Sequence, residues 1–175
     1  MVIGAGPIGL ATIKFAKIKQ AKVAVMDINE ERLGFCKTNL DLTGLINAKS
    51  NKVVDDIRDA FEGDLPTVVM DATGNPQSMR NTFDYVAFGG KIVFIGLFQG
   101  DFTFFDPLFH RKEITLMASR NALGVDFDQI ITLVEEGKID TDLWITHRMA
   151  FQDLPEKFES LLLPESKVIK AIVEL

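Results

Sequence analysis

The amino-acid sequence predicts an α/β fold: a doubly wound parallel sheet with helices on both faces. Three observations carry that reading. Short apolar runs at residues 23–26, 67–70 and 92–95 alternate with segments of helical pattern. The runs are continuously apolar and largely β-branched rather than alternating, which marks strands buried on both faces. A glycine-rich turn, Gly4-Ala5-Gly6-Pro7-Ile8-Gly9, stands between the first strand and the first helix.

The elements follow in order. Met1-Val2-Ile3 is the end of a strand that runs directly into the glycines. Leu10, Ala11, Ile13, Phe15, Ala16 and Ile18 then fit a largely buried helix. Val23-Ala24-Val25-Met26 forms the next strand and ends in Asp27. Asn29 caps a second helix, whose first turn carries Glu30 and Glu31 where the helix dipole favours negative charge. Strand, turn, helix and strand make one βαβ unit with a right-handed crossover. Residues 53–61 read as a helix and residues 67–70 as a strand. Asn75 and Pro76 open a helix running towards Val86, with Asn75 as cap and Pro76 at the first helical position. Gly89-Gly90 breaks the chain before the strand at 92–95, and residues 113–118 form an edge strand with free backbone groups. Between those strands Phe102 and Phe104 alternate with Asp101 and Thr103, a strand-like rhythm. The last third holds a helix at 127–136 stopped by Gly137, strand-like segments at 144–146 and 167–173, and a helix at 153–163.

Composition removes several function classes. Of 175 residues, 47% are hydrophobic, enough for a core and too many for disorder. Lys+Arg 19 against Asp+Glu 25 gives a net charge of −6, so no nucleic-acid partner is expected. No stretch approaches the ~18 consecutive apolar residues of a membrane helix, and the first residues lack the charged start of a signal peptide. The one cysteine, Cys36, excludes an internal disulfide and a Cys-rich metal site. The expectation is a cytoplasmic protein with no membrane partner.

The glycine turn has a specific chemistry. A helix N-terminus offers a pyrophosphate free N–H groups and the positive end of a dipole. Gly4 permits the tight turn, Gly6 lets backbone approach phosphate, and Gly9 lets helix and strand pack closely. The turn follows a strand, opens a helix and meets Asp27 18 residues after Gly9, the context that distinguishes a dinucleotide site from a packing turn. A carboxylate there accepts both ribose hydroxyl protons of NAD and repels the 2′-phosphate of NADP. The cofactor expected is therefore NAD.

Four phrases carry a resemblance: the glycine turn, Asp71-Ala72-Thr73-Gly74, Gly89-Gly90-Lys91-Ile92-Val93 and Thr146-His147-Arg148. Over essentially the whole chain the sequence resembles the zinc-type medium-chain dehydrogenases, the superfamily of alcohol, sorbitol and threonine dehydrogenases. Arg111-Lys112-Glu113-Ile114-Thr115-Leu116 followed by Ser119-Arg120-Asn121-Ala122 is most similar to the polyol and sugar-acid branch. The resemblance implies a Rossmann-type fold in which Gly4, Gly6, Pro7, Ile8 and Gly9 surround the pyrophosphate, with Ile8 beneath it. It implies that Asp27 holds the adenosine ribose and that Arg32 lies by the adenine, within reach of a cation–π contact. Ala72 and Thr73 join the cofactor-binding set. Ile95-Gly96-Leu97 and Ser119-Arg120-Asn121 flank the nicotinamide, and Lys170 lies near the pyrophosphate.

The same resemblance implies an NAD-binding domain over residues 1–120 and a segment, 121–175, that returns to a catalytic domain. Zinc is expected only in an N-terminal domain that this chain lacks, so no catalytic or metal-ligating residue is expected here. The chain then reads as the cofactor-binding half of a dehydrogenase, inactive alone. In the whole enzyme a secondary alcohol, polyol or sugar acid gives up hydride to NAD while zinc polarises its oxygen. Family members pair their cofactor domains through the edge strand, which implies a homodimer built on residues 98–118. A non-catalytic dinucleotide-binding module, or a truncated remnant, is the alternative.

Other candidates have plainer explanations. Cys36 falls at core spacing between Leu33 and Leu40 and reads as a buried, inert thiol. His110 and His147 lack companion ligands, and two ligands do not make a zinc site. Asp55, Asp56 and Asp59 form the solvated face of a helix.

Overall fold

The computed structural model describes residues 1–175, apart from the side chain of Pro164. The first unit, Met1–Asn121, contains β1 (Val2–Ile3), α1 (Pro7–Ile18), β2 (Ala24–Asp27), α2 (Glu30–Asn39), β3 (Gly44–Asn47) and α3 (Val53–Ala60). It continues with β4 (Val68–Asp71), α4 (Pro76–Tyr85), β5 (Lys91–Phe94), α5 (Asp106–Arg111) and β6 (Thr115–Ala118). The six strands pair in parallel in the order β3-β2-β1-β4-β5-β6. This is the doubly wound sheet that the sequence predicts. The order reverses between β1 and β4, and a crevice at that switch point is where such sheets bind ligands.

The core follows from the continuous apolar runs. All four residues of β2 are buried, and Ile3, Met26, Val69 and Ile92 pack with Ile57 and Phe83 from the covering helices. The helix caps form as the sequence suggests: Asn29 accepts from Glu31 and Arg32 N–H, and Asn75 from Gln77 and Ser78 N–H. Asp55 and Asp59 are exposed and Asp56 half-buried around the buried Ile57.

Two elements and one cluster depart from the sequence reading. β3 pairs with β2 at the far edge, and only Ile46 of its four residues is buried, so it lacks a continuous apolar run. Residues 101–105 form no strand. Phe102 and Phe104 still share one side, as alternate residues of a strand would, and both lie against Phe83, with ring centroids 6.2 and 4.8 Å away. Phe109, from the short helix α5, closes on Phe104 at 5.4 Å. Lys112, just beyond α5, is buried, and its Nζ donates to the carbonyls of Phe83, Asp84 and Val86 at 3.0, 2.9 and 2.8 Å. It thereby satisfies the otherwise open C-terminal end of α4.

The second unit, Ala122–Leu175, holds α6 (Gly124–Glu135), β7 (Ile145–Ala150), α7 (Leu154–Leu161) and β8 (Lys170–Glu174). β7 and β8 pair in parallel as a separate two-stranded sheet. Arg148 on β7 bonds Asp142 at 2.7 Å and Glu174 on β8 at 3.2 Å.

Candidate dinucleotide site

The glycine turn is built from the C-terminal end of β1. Gly4 adopts φ +97° and donates its N–H to the Met26 carbonyl of β2 at 2.8 Å. A Cβ on Gly9 would collide with the Gly4 carbonyl oxygen, so only glycine lets α1 start this close to β1. No side chain caps α1. The first-turn N–H groups of a helix have no intrahelical acceptor, and such a helix start can hold an anion. Ile8 stands at the rim of this turn, 56% exposed.

Asp27 closes the next strand and is buried. Its Oδ2 accepts from Ala5 N–H of the glycine turn at 2.6 Å, and its Oδ1 from Asn29 N–H at 2.8 Å. A carboxylate offers about four lone-pair sites, so two remain for hydroxyl donors. The carboxylate is thus fixed in place by the turn it accompanies. Arg32 reaches the same turn from α2: its Nη1 lies 3.6 Å from the point a Gly6 Cβ would occupy. The guanidinium therefore overhangs the glycine turn.

Across the switch point, the loops after β4, β5 and β6 carry the remaining first-unit residues singled out in the sequence. Ala72 N–H donates to the Ile3 carbonyl at 2.8 Å, tying the β4 loop to β1. Ile95 and Gly96 N–H both donate to the Asp71 carbonyl, at 2.8 and 3.0 Å. A Cβ on Gly96 would collide with the Gly74 nitrogen, so these two loops touch through backbone alone. Leu97 is 72% exposed beyond them. Ser119 N–H donates to the Phe94 carbonyl at 2.9 Å, and Arg120 and Asn121 follow it exposed. Lys170 belongs to the second unit, where it opens β8, exposed.

The sequence reading missed Asp71 and Ser78, whose side chains meet below the Thr73 turn at 2.6 Å. The Asp71-Ala72-Thr73-Gly74 phrase marked the place, but the Ser78 partner lies on the following helix and left no local signal. A separate cavity of about 830 Å³, lined by Phe15, Phe61, Leu65 and Val68, lies at the opposite, N-terminal ends of the strands. Among the described residues no group of three His, Cys, Asp or Glu side chains is placed to hold a metal ion. His110 is exposed beside Asp106 at 3.5 Å, and His147 Nδ1 lies 3.0 Å from Thr146 Oγ1. Cys36 is fully buried, and burial followed by the charge of Asp27 pushes its thiol up to about 11. No helix among the described residues is long and apolar enough to cross a membrane.

Known proteins share this fold. Residues 7–136 match the family described as zinc-binding dehydrogenase. The chain is 40% identical over 173 residues to L-galactonate-5-dehydrogenase of Escherichia coli (strain K12), covering 99% of this chain and 51% of that protein. It is 33% identical over 167 residues to D-xylulose reductase of Scheffersomyces stipitis, covering 90% of this chain and 46% of that protein. The chain thus spans about half the length of these curated relatives. Among solved structures, a short chain alcohol dehydrogenase from E. coli CFT073 complexed with NADH superposes with a TM-score of 0.87 at 25% identity. That superposition covers 99% of this chain and 51% of the other.

Proposed function

The chain belongs to the zinc-binding dehydrogenase family, and on that premise we propose that it is the NAD-binding portion of an oxidoreductase acting on a secondary alcohol, polyol or sugar acid. The observation that carries the proposal is Asp27, buried at the end of β2 and bonded to the backbone of the glycine turn. The NADH held by the structurally similar alcohol dehydrogenase supports a nicotinamide cofactor. The sugar acid and the ketose sugar named in the relatives support a polyhydroxylated substrate. Those dehydrogenase names favour an enzyme over a non-catalytic nucleotide-binding module.

NAD, when bound, supplies a hydride acceptor at C4 of its nicotinamide. The chain's own residues bind and orient. Asp27 accepts from the adenosine ribose hydroxyls with the lone pairs that Ala5 and Asn29 leave open, and its charge disfavours a 2′-phosphate. The first turn of α1 presents positive potential to the pyrophosphate, and the Arg32 guanidinium, beside Gly6, is within reach of the adenine for a cation–π contact. Ala72, Thr73, residues 95–97 and residues 119–121 then receive the other half of the dinucleotide. Residues 1–120 act as the cofactor domain and 121–175 as the segment that joins a catalytic domain. Among the described residues no three-ligand metal set is present, and zinc chemistry is assigned to none of them.

Calorimetric titration of the chain with NADH and NADPH tests the reading. Tighter binding of NADH is expected, without turnover of any polyol by the chain alone. Equal affinity for both cofactors would overturn the choice of NAD.

A further inference from the structure

We infer that Asp71 is the positioning residue for the nicotinamide half of the dinucleotide. The inference rests on the dinucleotide reading above and deepens it. With Asp27 fixing the adenosine on the β2 side, an extended dinucleotide lays its other half over the loops after β4, β5 and β6.

Asp71 is the last residue of β4, and its side chain is completely buried. Its Oδ1 accepts from Thr73 N–H at 2.8 Å and from Thr73 Oγ1–H at 2.6 Å. Its Oδ2 accepts from Ser78 Oγ–H, on the first turn of α4, at 2.6 Å. Its backbone carbonyl meanwhile accepts from Ile95 and Gly96 N–H. One residue therefore holds the turn after β4, the turn after β5 and the start of α4.

These turns have no slack. Gly74 and Gly96 touch backbone to backbone, and Thr73 Cγ2 lies 3.2 Å from the point a Gly4 Cβ would occupy. A displacement of Thr73 is passed through Gly74 to Gly96 and the turn after β5. Hydrogen bonds to an ionised acceptor are stronger and shorter than neutral ones, and leaving their donors unpaired in a buried place is costly. The carboxylate thus fixes the Thr73 turn more rigidly than an amide of the same shape, which can accept on one atom only.

The test compares two probes that share the adenosine and pyrophosphate but differ in the nicotinamide. Dissociation constants for ADP-ribose and NADH are measured by calorimetry on the unaltered chain, Asp71→Asn and Ser78→Ala, with thermal unfolding as the control. Asp71→Asn is expected to raise the NADH constant about tenfold, the loss of one charge-assisted hydrogen bond's worth of positioning. Ser78→Ala, outside the crevice, is expected to raise it about threefold, since it removes a single donor. The ADP-ribose constant stays within about twofold in both, since the Asp27 side is untouched. If Asp71→Asn fails to unfold cooperatively, Ser78→Ala decides. Equal weakening of both ligands would reduce Asp71 to a general structural role, and no weakening of NADH would remove the role; either overturns the inference. An unaltered chain that binds neither ligand overturns the dinucleotide reading itself.

Discussion

Asp27 already accepts two backbone N–H groups from this chain, so its carboxylate is oriented before any ligand arrives. Asp27→Ser removes the charge and most of that acceptor capacity. NAD affinity is expected to fall about tenfold or more, since hydrogen bonds to a charged group contribute roughly 1.5–3 kcal/mol. NADP affinity should fall less, because a repulsion is lifted at the same time; calorimetry with both cofactors reads the narrowing. Cys36 sits behind the same carboxylate. With its thiol pushed up to about 11, it is protonated at neutral pH and expected to resist alkylation until guanidinium unfolds the chain. The sign of its pH effect follows. The unfolded thiol ionises near its ordinary value of 9.0, so above that pH the unfolded state binds fewer protons and stability falls until about 11. Across that window the denaturant midpoint of the chain should fall more steeply with pH than that of Cys36→Ala, which lacks the titrating thiol. Both residues were legible in the sequence, Asp27 through its spacing from Gly9 and Cys36 through its helical spacing from Leu33. Asp71 was not, since its role lies in a side chain seven residues away and in a neighbouring strand.

At the scale of elements, periodicity identified strands with continuous apolar runs and helices with capping asparagines. It failed where tertiary contacts supply the stability. β3 offers one buried residue and is held by its ladder to β2, and α5 is a six-residue helix opened by Asp106 and Pro107 inside a phenylalanine-rich stretch. Alternation of Phe102 and Phe104 imitated a strand because an irregular loop can aim two side chains at one ring. The end of α4 shows the same limit: its last carbonyls are satisfied by Lys112, more than 25 residues downstream. Lys112→Met keeps the aliphatic stem but leaves three carbonyls without this donor. It is expected to lower stability by about 2 kcal/mol, read as a lower urea midpoint with unchanged slope.

At the scale of the molecule, the edge of the sheet is where a second copy is expected to add. The resemblance implies a homodimer built on residues 98–118, and within that stretch Phe102, Phe104 and Phe109 pack on Phe83 of the same chain. Leu116 likewise packs against the core, so a charge there tests folding rather than assembly. What the edge still offers is backbone. Thr115 and Ser119 N–H donate to the β5 side, at Gly90 and Phe94. By the alternation of a parallel ladder, the N–H and C=O groups of Leu116 and Ala118 face outward from β6. An unpaired, four-residue edge with Met117 49% exposed is a template for adding a strand from a second copy. Pairing across a two-fold axis would be isologous and would extend the sheet through both subunits. The chain is therefore expected to run as a homodimer in light scattering at micromolar concentration. Ala118→Pro removes an outward N–H without touching the β5 ladder, and proline is tolerated at such an edge position. It should yield a monomer whose thermal unfolding is nearly unchanged. A dimer that survives Ala118→Pro would place the contact elsewhere than on β6, and a monomeric unaltered chain would show that this edge does not assemble two copies by itself.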